Sequence, residues 1–227
     1  LLAAAPDNGK PEGDALLEKG LALYRGEEFA KARAPLEQAL GIYHRIGTAD
    51  AEAQALSALG DLSVDLGQYD RAAAHYTEAL AIWRRLGSRR QEAVALRQLG
   101  TLANVLAQYG KAAELYQQAL AIWKELGLEW KQAETLHSLG IVANAGGQYD
   151  ASVGYLEQSL AIWRELGDGQ RQVWTLWTLG VNANGRGLRR KAMEYYGDAL
   201  AVSRRLGLKR EEVGSLGLMG DKRGGLE

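Results

Sequence analysis

Residues 89–127 read RRQEAVALRQLGTLANVLAQYGKAAELYQQALAIWKELG. Apolar side chains recur at helical spacing from Ala93 to Leu106, and a second apolar stripe runs from Ala112 to Leu126. Gly127 follows the second stripe, where a helix commonly ends in left-handed geometry. The segment therefore predicts two helices of about 16 to 18 residues, joined by a short turn. Neither helix can bury its stripe alone, so neighbouring helices have to stack.

The same pattern returns every 40 residues along the chain, without an insertion. The glycines that follow the second helices are Gly47, Gly87, Gly127, Gly167 and Gly207. We call a set of residues at the same position of successive repeats, 40 residues apart, a column. A second glycine column lies inside the first helices and consists of Gly20, Gly60, Gly100, Gly140, Gly180 and Gly220. A fixed period of this length indicates a repeat protein, and each unit here is a pair of helices.

The segment LRQLGTLANVLAQYGKAAELYQQALAIW, residues 96–123, resembles the tetratricopeptide repeat (TPR). The resemblance rests on the small residue Gly100 in the first helix and on Ala112, Tyr116 and Ala119 in the second. The units are longer than the common form of about 34 residues, and they lack the proline that usually ends its second helix. They are similar to the repeats of kinesin light chains, cell-polarity scaffolds, and bacterial signalling ATPases and transcription regulators. The resemblance implies an all-α, right-handed solenoid of antiparallel helix pairs that binds a protein or a peptide.

The register of the repeat predicts the boundaries of the units. We expect five helix-turn-helix units at residues 13–46, 49–86, 89–126, 129–166 and 169–206, followed by a terminal helix at 209–221 that is either a cap or part of a sixth unit. We predict one solenoid domain over residues 13–225, a flexible lead-in at 1–12 and a cloning scar at 226–227. The first helix is expected at 14–25. Pro35 falls inside the second helix, which predicts a kink there or a late start near Ala34.

Composition and motifs exclude several classes of function. No apolar run reaches the roughly 18 residues of a membrane span, and the absence of Cys excludes disulfides and thiolate metal sites. The sequence has no phosphate-binding loop, dinucleotide fingerprint, paired-His motif or EF-hand loop. We therefore expect no enzymatic activity, cofactor, metal or small-molecule substrate. A net charge of −1 argues against nucleic acid as a partner.

The charge distribution and the first residues leave alternatives open. Residues 27–66 hold three basic and seven acidic residues, whereas residues 187–226 hold nine basic and five acidic ones. This asymmetry favours head-to-tail association at low salt, so a self-associating scaffold is one alternative. A sensor domain of a larger bacterial signalling ATPase or transcription regulator is another. We expect a cytoplasmic location, with export as the alternative if residues 1–6 are the remnant of a signal peptide.

The resemblance also implies a concave groove lined by the first helices of the pairs. Counted from the core glycines, Arg97, Glu134, His137, Ile141 and Val181 fall at groove positions. The most regular candidates repeat every 40 residues and are Asn104, Asn144 and Asn184. An Asn side chain carries both a donor and an acceptor, so this ladder is suited to holding an extended peptide backbone. The alternative is that the asparagines cap or cross-link adjacent helices.

Two tryptophans are the second groove candidate. One column contains Trp83, Trp123 and Trp163, and this repetition predicts that they pack in the core. In contrast, Trp174 and Trp177 occupy columns in which the preceding repeats have no tryptophan. Because they lie three residues apart, they share one helical face, and paired aromatics are common binding anchors. The alternative is that they cover a subunit contact or fill a hole beside a neighbouring helix. Glu134 and His137, one unit earlier, predict a polar flank that responds near pH 6.5.

Overall fold

A computed structural model describes residues 9–220, and all of its regular secondary structure is α-helical. The chain divides into two compact units between Ala107 and Gln108. The helices of unit 1 are α1 (Lys10–Arg25), α2 (Phe29–Ile46), α3 (Ala49–Asp65), α4 (Tyr69–Arg85) and α5 (Arg89–Val105). The helices of unit 2 are α6 (Tyr109–Glu125), α7 (Glu129–Ala145), α8 (Tyr149–Glu165), α9 (Gly169–Gly185), α10 (Arg189–Arg205) and α11 (Lys209–Gly220).

Within each unit, consecutive helices pack against each other as antiparallel pairs. The first helices of neighbouring pairs also meet: α1 contacts α3 in unit 1, while α9 contacts both α7 and α11 in unit 2. The first helices therefore form one face within each unit. This arrangement confirms the all-α fold of stacked helix pairs. The interpretation of residues 13–225 as one domain stays a prediction.

Glycine in left-handed geometry separates the helices. Gly127 has φ 65°, its N–H donates to the Lys124 carbonyl, and the following Leu128 N–H donates to the Trp123 carbonyl. These two bonds satisfy carbonyls that the last turn of α6 would otherwise leave free. The predicted role of Gly127 as a helix terminator is confirmed. Glu27 adopts the same geometry in the α1–α2 turn with φ 59°, which is unfavourable for a side chain with a Cβ.

The glycines inside the first helices let the second helices approach closely. A Cβ at Gly60 would collide with the ring of Tyr76, and a Cβ at Gly180 would collide with the ring of Tyr196. A glycine at this column therefore removes a clash between the paired helices. The members of the tryptophan column are at most 3% exposed. The predicted packing roles of Trp83, Trp123 and Trp163 are thus confirmed.

Helix α1 begins at Lys10, four residues before the predicted start, so the predicted lead-in at 1–12 is too long. Pro11 lies in the first turn, where a missing N–H costs no hydrogen bond. Gly13 is buried because a ring edge of Tyr43 covers it, and this contact holds the first turn of α1. The rest of the lead-in and the predicted cloning scar at 226–227 lie outside the described residues. The terminal helix, predicted at 209–221, begins at Lys209 and extends to the last described residue, Gly220; residue 221 lies outside the described residues.

The predicted late start of the second helix is wrong, because α2 begins at Phe29 and continues through Pro35 to Ile46. Pro35 lies in the second turn of α2 and is buried. A proline there removes only one backbone hydrogen bond, the one to the Lys31 carbonyl. Packing of its ring in the interior offsets that loss. The expected kink stays a prediction.

Candidate functional site

Unit 2 contains a cavity of about 200 Å³ that opens on the face of its first helices. We call it the α7–α9 cavity. Its lining side chains are Glu134, His137, Ser138, Trp163, Arg171, Trp174 and Thr175. Helices α7 and α9 supply all of them except Trp163, which comes from the end of α8. The guanidinium carbon of Arg171 lies 4.8 Å from the centre of the Trp163 ring, so a cation–π contact closes one wall.

Trp174 is the exposed aromatic residue of this cavity. Its side chain is 46% exposed, although it lies on a helix that buries its other apolar face. Ile141 on α7 and Val181 on α9 are also exposed, at 40% and 48%. All three residues were predicted at groove positions. Together they leave apolar surface open to a ligand on the same face as the cavity.

Glu134 and His137 form the polar wall, as the sequence predicted for the flank. The Glu134 carboxylate lies 2.8 Å from the Lys131 ammonium. His137 Nδ1 lies 3.2 Å from Thr175 Oγ1, and this hydroxyl already donates to the Arg171 carbonyl at 2.8 Å. The hydroxyl oxygen can therefore accept from His137, and the shorter distance at Nδ1 favours the proton of the neutral imidazole there over Nε2, which lies 3.5 Å from Thr178 Oγ1.

Burial lowers the pKa of His137 below its ordinary value of 6.5, because a charged imidazolium would lose its hydration. The expected response of this side chain near pH 6.5 is therefore wrong in the free protein. Its ring contacts hydroxyl groups of α9 on both edges, since Nε2 lies 3.5 Å from Thr178 Oγ1. Sequence alone placed the imidazole at the groove, but it did not show how deeply the neighbouring helix covers it.

Trp177 lies apart from the α7–α9 cavity, although it was predicted to act together with Trp174. Its Nε1 donates to Ser215 Oγ on α11 at 2.9 Å. Its ring covers Gly214, where an added Cβ would lie 2.7 Å from the ring. The ring therefore packs between α9 and α11, and this contact matches the alternative of an aromatic side chain filling a hole beside a neighbouring helix.

The asparagine ladder lies in the last turns of the first helices. Asn144 and Asn184 are half-buried in unit 2, and their backbone carbonyls accept from the N–H groups of Gly147 and Gly187 at 3.0 and 2.9 Å. Asn104 lies in the equivalent place in unit 1, with its carbonyl 2.9 Å from the Ala107 N–H. These backbone hydrogen bonds close the turns and do not depend on which side chain is present at the three positions. The ligand-binding role of the three side chains stays a prediction.

Arg97, the remaining predicted site residue, lines a different cavity of about 240 Å³ in unit 1. Asp61 lies in the same cavity and accepts from the Tyr76 hydroxyl at 2.6 Å and from Gln98 Nε2 at 2.9 Å. Burial raises the pKa of Asp61 above its ordinary value, against the effect of these two donors. This cavity combines two carboxylates and Arg97 with apolar and tyrosine side chains, and it contains no tryptophan.

Sequence reasoning missed part of the lining of the α7–α9 cavity, namely Ser138, Arg171 and Thr175. Arg171 and Thr175 lie on the same helix as Trp174, but neither was singled out, because Arg and Thr are common on helix surfaces. The basic residues Lys131 and Arg171, which share a column, were the available signal. Among residues 9–220, no group of three or more His, Asp or Glu side chains is arranged to hold a metal ion. None of the described helices has the length and apolar character of a membrane span.

A family model described as tetratricopeptide repeat matches residues 12–85, 51–125 and 131–205. No curated protein matches the chain. Among solved structures, a putative kinesin light chain from Podosopora anserina with nearly identical TPR-like repeats has a TM-score of 0.76 and 18% identity. This match covers 88% of the present chain and 98% of that protein.

Two further solved structures have a similar fold. A signal-transduction ATPase with numerous domains and a tetratricopeptide repeat sensor, from Pyrococcus horikoshii, has a TM-score of 0.79 and 16% identity, over 91% of this chain and 32% of that one. A Rap protein complexed with competence and sporulation factor has a TM-score of 0.67 and 18% identity, over 96% and 65%. At such identities the likeness shows the fold alone.

Proposed function

The chain belongs to the tetratricopeptide repeat family, and on that basis we propose that it is a protein-interaction module whose α7–α9 cavity takes an apolar side chain of an extended partner segment. The observation that carries this proposal is Trp174, which stays 46% exposed beside a cavity that is large enough for one side chain. Half-exposed aromatic side chains beside a pocket are typical binding anchors.

The polar groups around the cavity support a peptide ligand. Asn144 and Asn184 lie at the ends of the two helices that line the cavity, so they are suited to hydrogen bonds with the backbone of the bound segment. Arg171 is ion-paired to Asp168 at 3.2 Å and stacks on Trp163, so its positive charge is largely compensated within the chain. The cavity therefore favours a neutral side chain. We propose a non-catalytic function for the chain and a cytoplasmic location.

A regulatory version of the same function is the second candidate. The signal-transduction ATPase of similar fold uses its tetratricopeptide repeats as a sensor, and the similar Rap protein was solved with a bound factor. A repeat module that binds a segment in its groove is suited to report on a partner to other domains. In that case the ligand of the α7–α9 cavity would be a signal for a larger protein. A self-associating scaffold is the third candidate, and the uneven charge supports it.

The experiment selects extended peptides from a displayed library on the full chain and then compares variants. Trp174→Ala should weaken the selected peptides by roughly 30- to 1,000-fold, because loss of an aromatic anchor costs about 2–4 kcal/mol of binding. Trp130→Ala is the matched control, since Trp130 is a similarly exposed tryptophan on α7 outside the cavity lining. Circular dichroism should show the same helicity for both variants.

Equal binding of the selected peptides to the wild-type chain and to Trp174→Ala would refute the proposal. The same holds if Trp130→Ala weakens binding as much as Trp174→Ala, because the anchor would then lie outside the cavity. Selection of peptides with no apolar side chain in common would also contradict the proposed ligand class.

A further inference from the structure

The cavity of unit 1 that contains Arg97 is lined by two carboxylates, Asp61 and Asp65, and we call it the α3–α5 cavity. Both carboxylates are departures from the repeat. Within residues 9–220, the other members of their two columns are Leu21, Thr101, Ile141 and Val181 for Asp61, and Arg25, Val105, Ala145 and Gly185 for Asp65. The packing of helix pairs therefore does not require an acidic residue at either position.

The tyrosine beside Asp61 does not require a carboxylate either. Tyr76 Oη donates to Asp61 Oδ1 at 2.6 Å. Tyr196 occupies the column of Tyr76 in α10 and is 2% exposed, while Val181 occupies the column of Asp61 in that pair. A tyrosine of this column is thus buried where no acidic residue is available at that position. Its hydrogen bond alone does not explain Asp61.

Several acceptor oxygens of the α3–α5 cavity have no donor in the described part of the chain. Tyr76 Oη and Gln98 Nε2 both donate to Oδ1 of Asp61, at 2.6 and 2.9 Å, so Oδ2 is left without a donor. Asp65 accepts from the Tyr24 hydroxyl through Oδ2 alone, and the buried Oε1 of Gln98 has no partner. The hydrogen bonds hold both carboxylates in place, and the remaining oxygens suit a ligand that carries donors.

The charge of this cavity is also uneven. Its lining has two carboxylates but one guanidinium, and Arg97 forms no ion pair with either carboxylate in the part of the chain that the structure describes. Burial raises the pKa of Asp61, and the donors Tyr76 and Gln98 together with the charge of Arg97 offset only part of this effect. A bound cation would therefore stabilise the ionised carboxylate further.

An adjoining cavity of about 280 Å³ shares Tyr24 and Asp61 with the α3–α5 cavity. The apolar part of its lining comes from Leu21, Ala58, Trp83 and Val94. The α3–α5 cavity has apolar walls as well, since Val64 and Leu102 lie beside its charged groups. The pair of cavities therefore matches a ligand with an ammonium group on an alkyl chain and a second apolar group nearby, which a free inorganic cation lacks.

We propose that the α3–α5 cavity binds a lysine side chain of a partner segment, with the ammonium group at Asp61 and Asp65. The ammonium group has three donors and no acceptor, and its alkyl chain packs against Val64 and Leu102. In an extended segment, side chains two residues apart lie on one side at a spacing of about 7 Å. An apolar residue at that spacing occupies the adjoining cavity. This inference rests on the proposed function only in that the ligand is a segment of a partner protein.

Short defined peptides test this site on the full chain. The probe is the labelled peptide acetyl-Gly-Leu-Ala-Lys-Ala-Leu-Gly-amide, in which a leucine lies two residues from the lysine on either side. In the matched peptides, norleucine or glutamate replaces the lysine; norleucine keeps the alkyl chain but lacks the ammonium group. By fluorescence anisotropy at low salt, we expect saturable binding of the lysine peptide and at least about tenfold weaker binding of the other two.

Asp61→Asn should weaken the lysine peptide by at least about tenfold and leave the norleucine peptide unchanged. The amide oxygen can still accept from Tyr76 and Gln98, but the negative charge is gone. Asp70→Asn is the matched control, because it removes the same charge from an exposed carboxylate of α4 that lines neither cavity. This control should bind every peptide like the wild-type chain, and circular dichroism should show the same helicity for both variants.

Four results would overturn the proposal. No binding of the lysine peptide, or equal binding of the lysine and norleucine peptides, would show that the carboxylates take up no ammonium group. Tighter binding of the glutamate peptide would mean that Arg97 binds an anion instead. Equal weakening of the lysine and norleucine peptides by Asp61→Asn would assign Asp61 to helix packing, and an equal loss in Asp70→Asn would indicate a general charge effect.

The two sites are separable in the same assay. Trp174→Ala should bind the lysine peptide like the wild-type chain, because Trp174 lines the cavity of unit 2. Failure of this proposal is therefore distinguishable from failure of the function proposed for the α7–α9 cavity.

Discussion

Asn182 and Ser152 form a buried polar pair inside unit 2. Both side chains are fully buried; Asn182 Nδ2 donates to Ser152 Oγ at 2.9 Å, and this hydroxyl donates to the Gly140 carbonyl at 2.7 Å. The other repeats have apolar residues at both columns: Leu62, Leu102 and Val142 at one, and Ala32, Ala72, Ala112 and Ala192 at the other. The two departures from the repeat are therefore hydrogen-bonded to each other and link α8 to α9, while Asn182 Oδ1 has no hydrogen-bond partner among the described residues.

A double-mutant cycle tests this pair. Ser152→Ala alone should lower the free energy of unfolding by about 1–3 kcal/mol, because it leaves the Asn182 amide buried without its acceptor. Adding Asn182→Leu returns both columns to the residue types of the other repeats, so stability should recover most of the loss. Guanidinium unfolding curves of the two single variants and the double variant give the coupling energy. Additive effects would mean that the two residues do not act as a pair.

The partly buried imidazole of His137 predicts a pH dependence of stability. The folded pKa lies below the ordinary value of 6.5, so the unfolded chain takes up a proton first as the pH falls. Stability should therefore decrease from about pH 6.5 downwards until the folded pKa is reached, and this residue should contribute no pH dependence above about pH 7. His44 acts in the opposite direction, because Glu52 raises its pKa.

The comparison of wild type with His137→Gln isolates this effect, since His44 and His75 titrate in both. The free energy of unfolding of wild type should fall more steeply than that of the variant between about pH 7 and pH 5. Parallel curves would show that the imidazole of His137 is not desolvated.

At the scale of the helix, Trp177 holds α11 to α9. It stacks on Gly214 and donates to Ser215, both in the middle of a helix that has no second partner within the described range. Trp177→Ala should lower the local opening free energy of α11 by on the order of 2–3 kcal/mol, because it leaves a cavity between the two helices. Hydrogen exchange of residues 209–220 should become faster, while Trp174→Ala should leave it unchanged. Equal exchange in both variants would contradict this role.

The same two tryptophans show how far the sequence predicts the elements and the site. The repeat predicted each helix to within a few residues, because apolar spacing and the terminating glycines are local signals. Trp174 and Trp177 differ from the residues at the same positions of the preceding repeats, which indicated that each has a local contact of its own. The sequence did not show which residue makes that contact. The answer depends on Gly214, 37 residues after Trp177, and on how α11 packs. Such tertiary contacts have no signature in the period of a single helix.

The molecule as a whole is a series of pairs that repeat the same contacts. The glycine column, the tryptophan column and the left-handed turns recur in both units, so each pair adds similar packing. In such a chain, stability is close to a sum over pairs and over the interfaces between neighbours. Departures from the repeat, such as the polar pair of α8 and α9 or the exposed Trp174, are where function and specificity are expected.

Deleting residues 147–186 removes one whole period, with α8, α9 and both members of the polar pair, and joins Gly146 to Gly187. Helix α10 then follows α7, and Tyr196 can cover Gly140 as it covers Gly180 in the intact chain. Circular dichroism should therefore show the same helicity per residue and one cooperative thermal transition, at a lower temperature because an interface is lost. Deleting only residues 147–166 is the control: it removes α8 alone, leaves two first helices in succession and buries Asn182 without Ser152. A similar loss of cooperativity in both deletions would contradict the modular pairing, since only the second breaks the alternation of first and second helices.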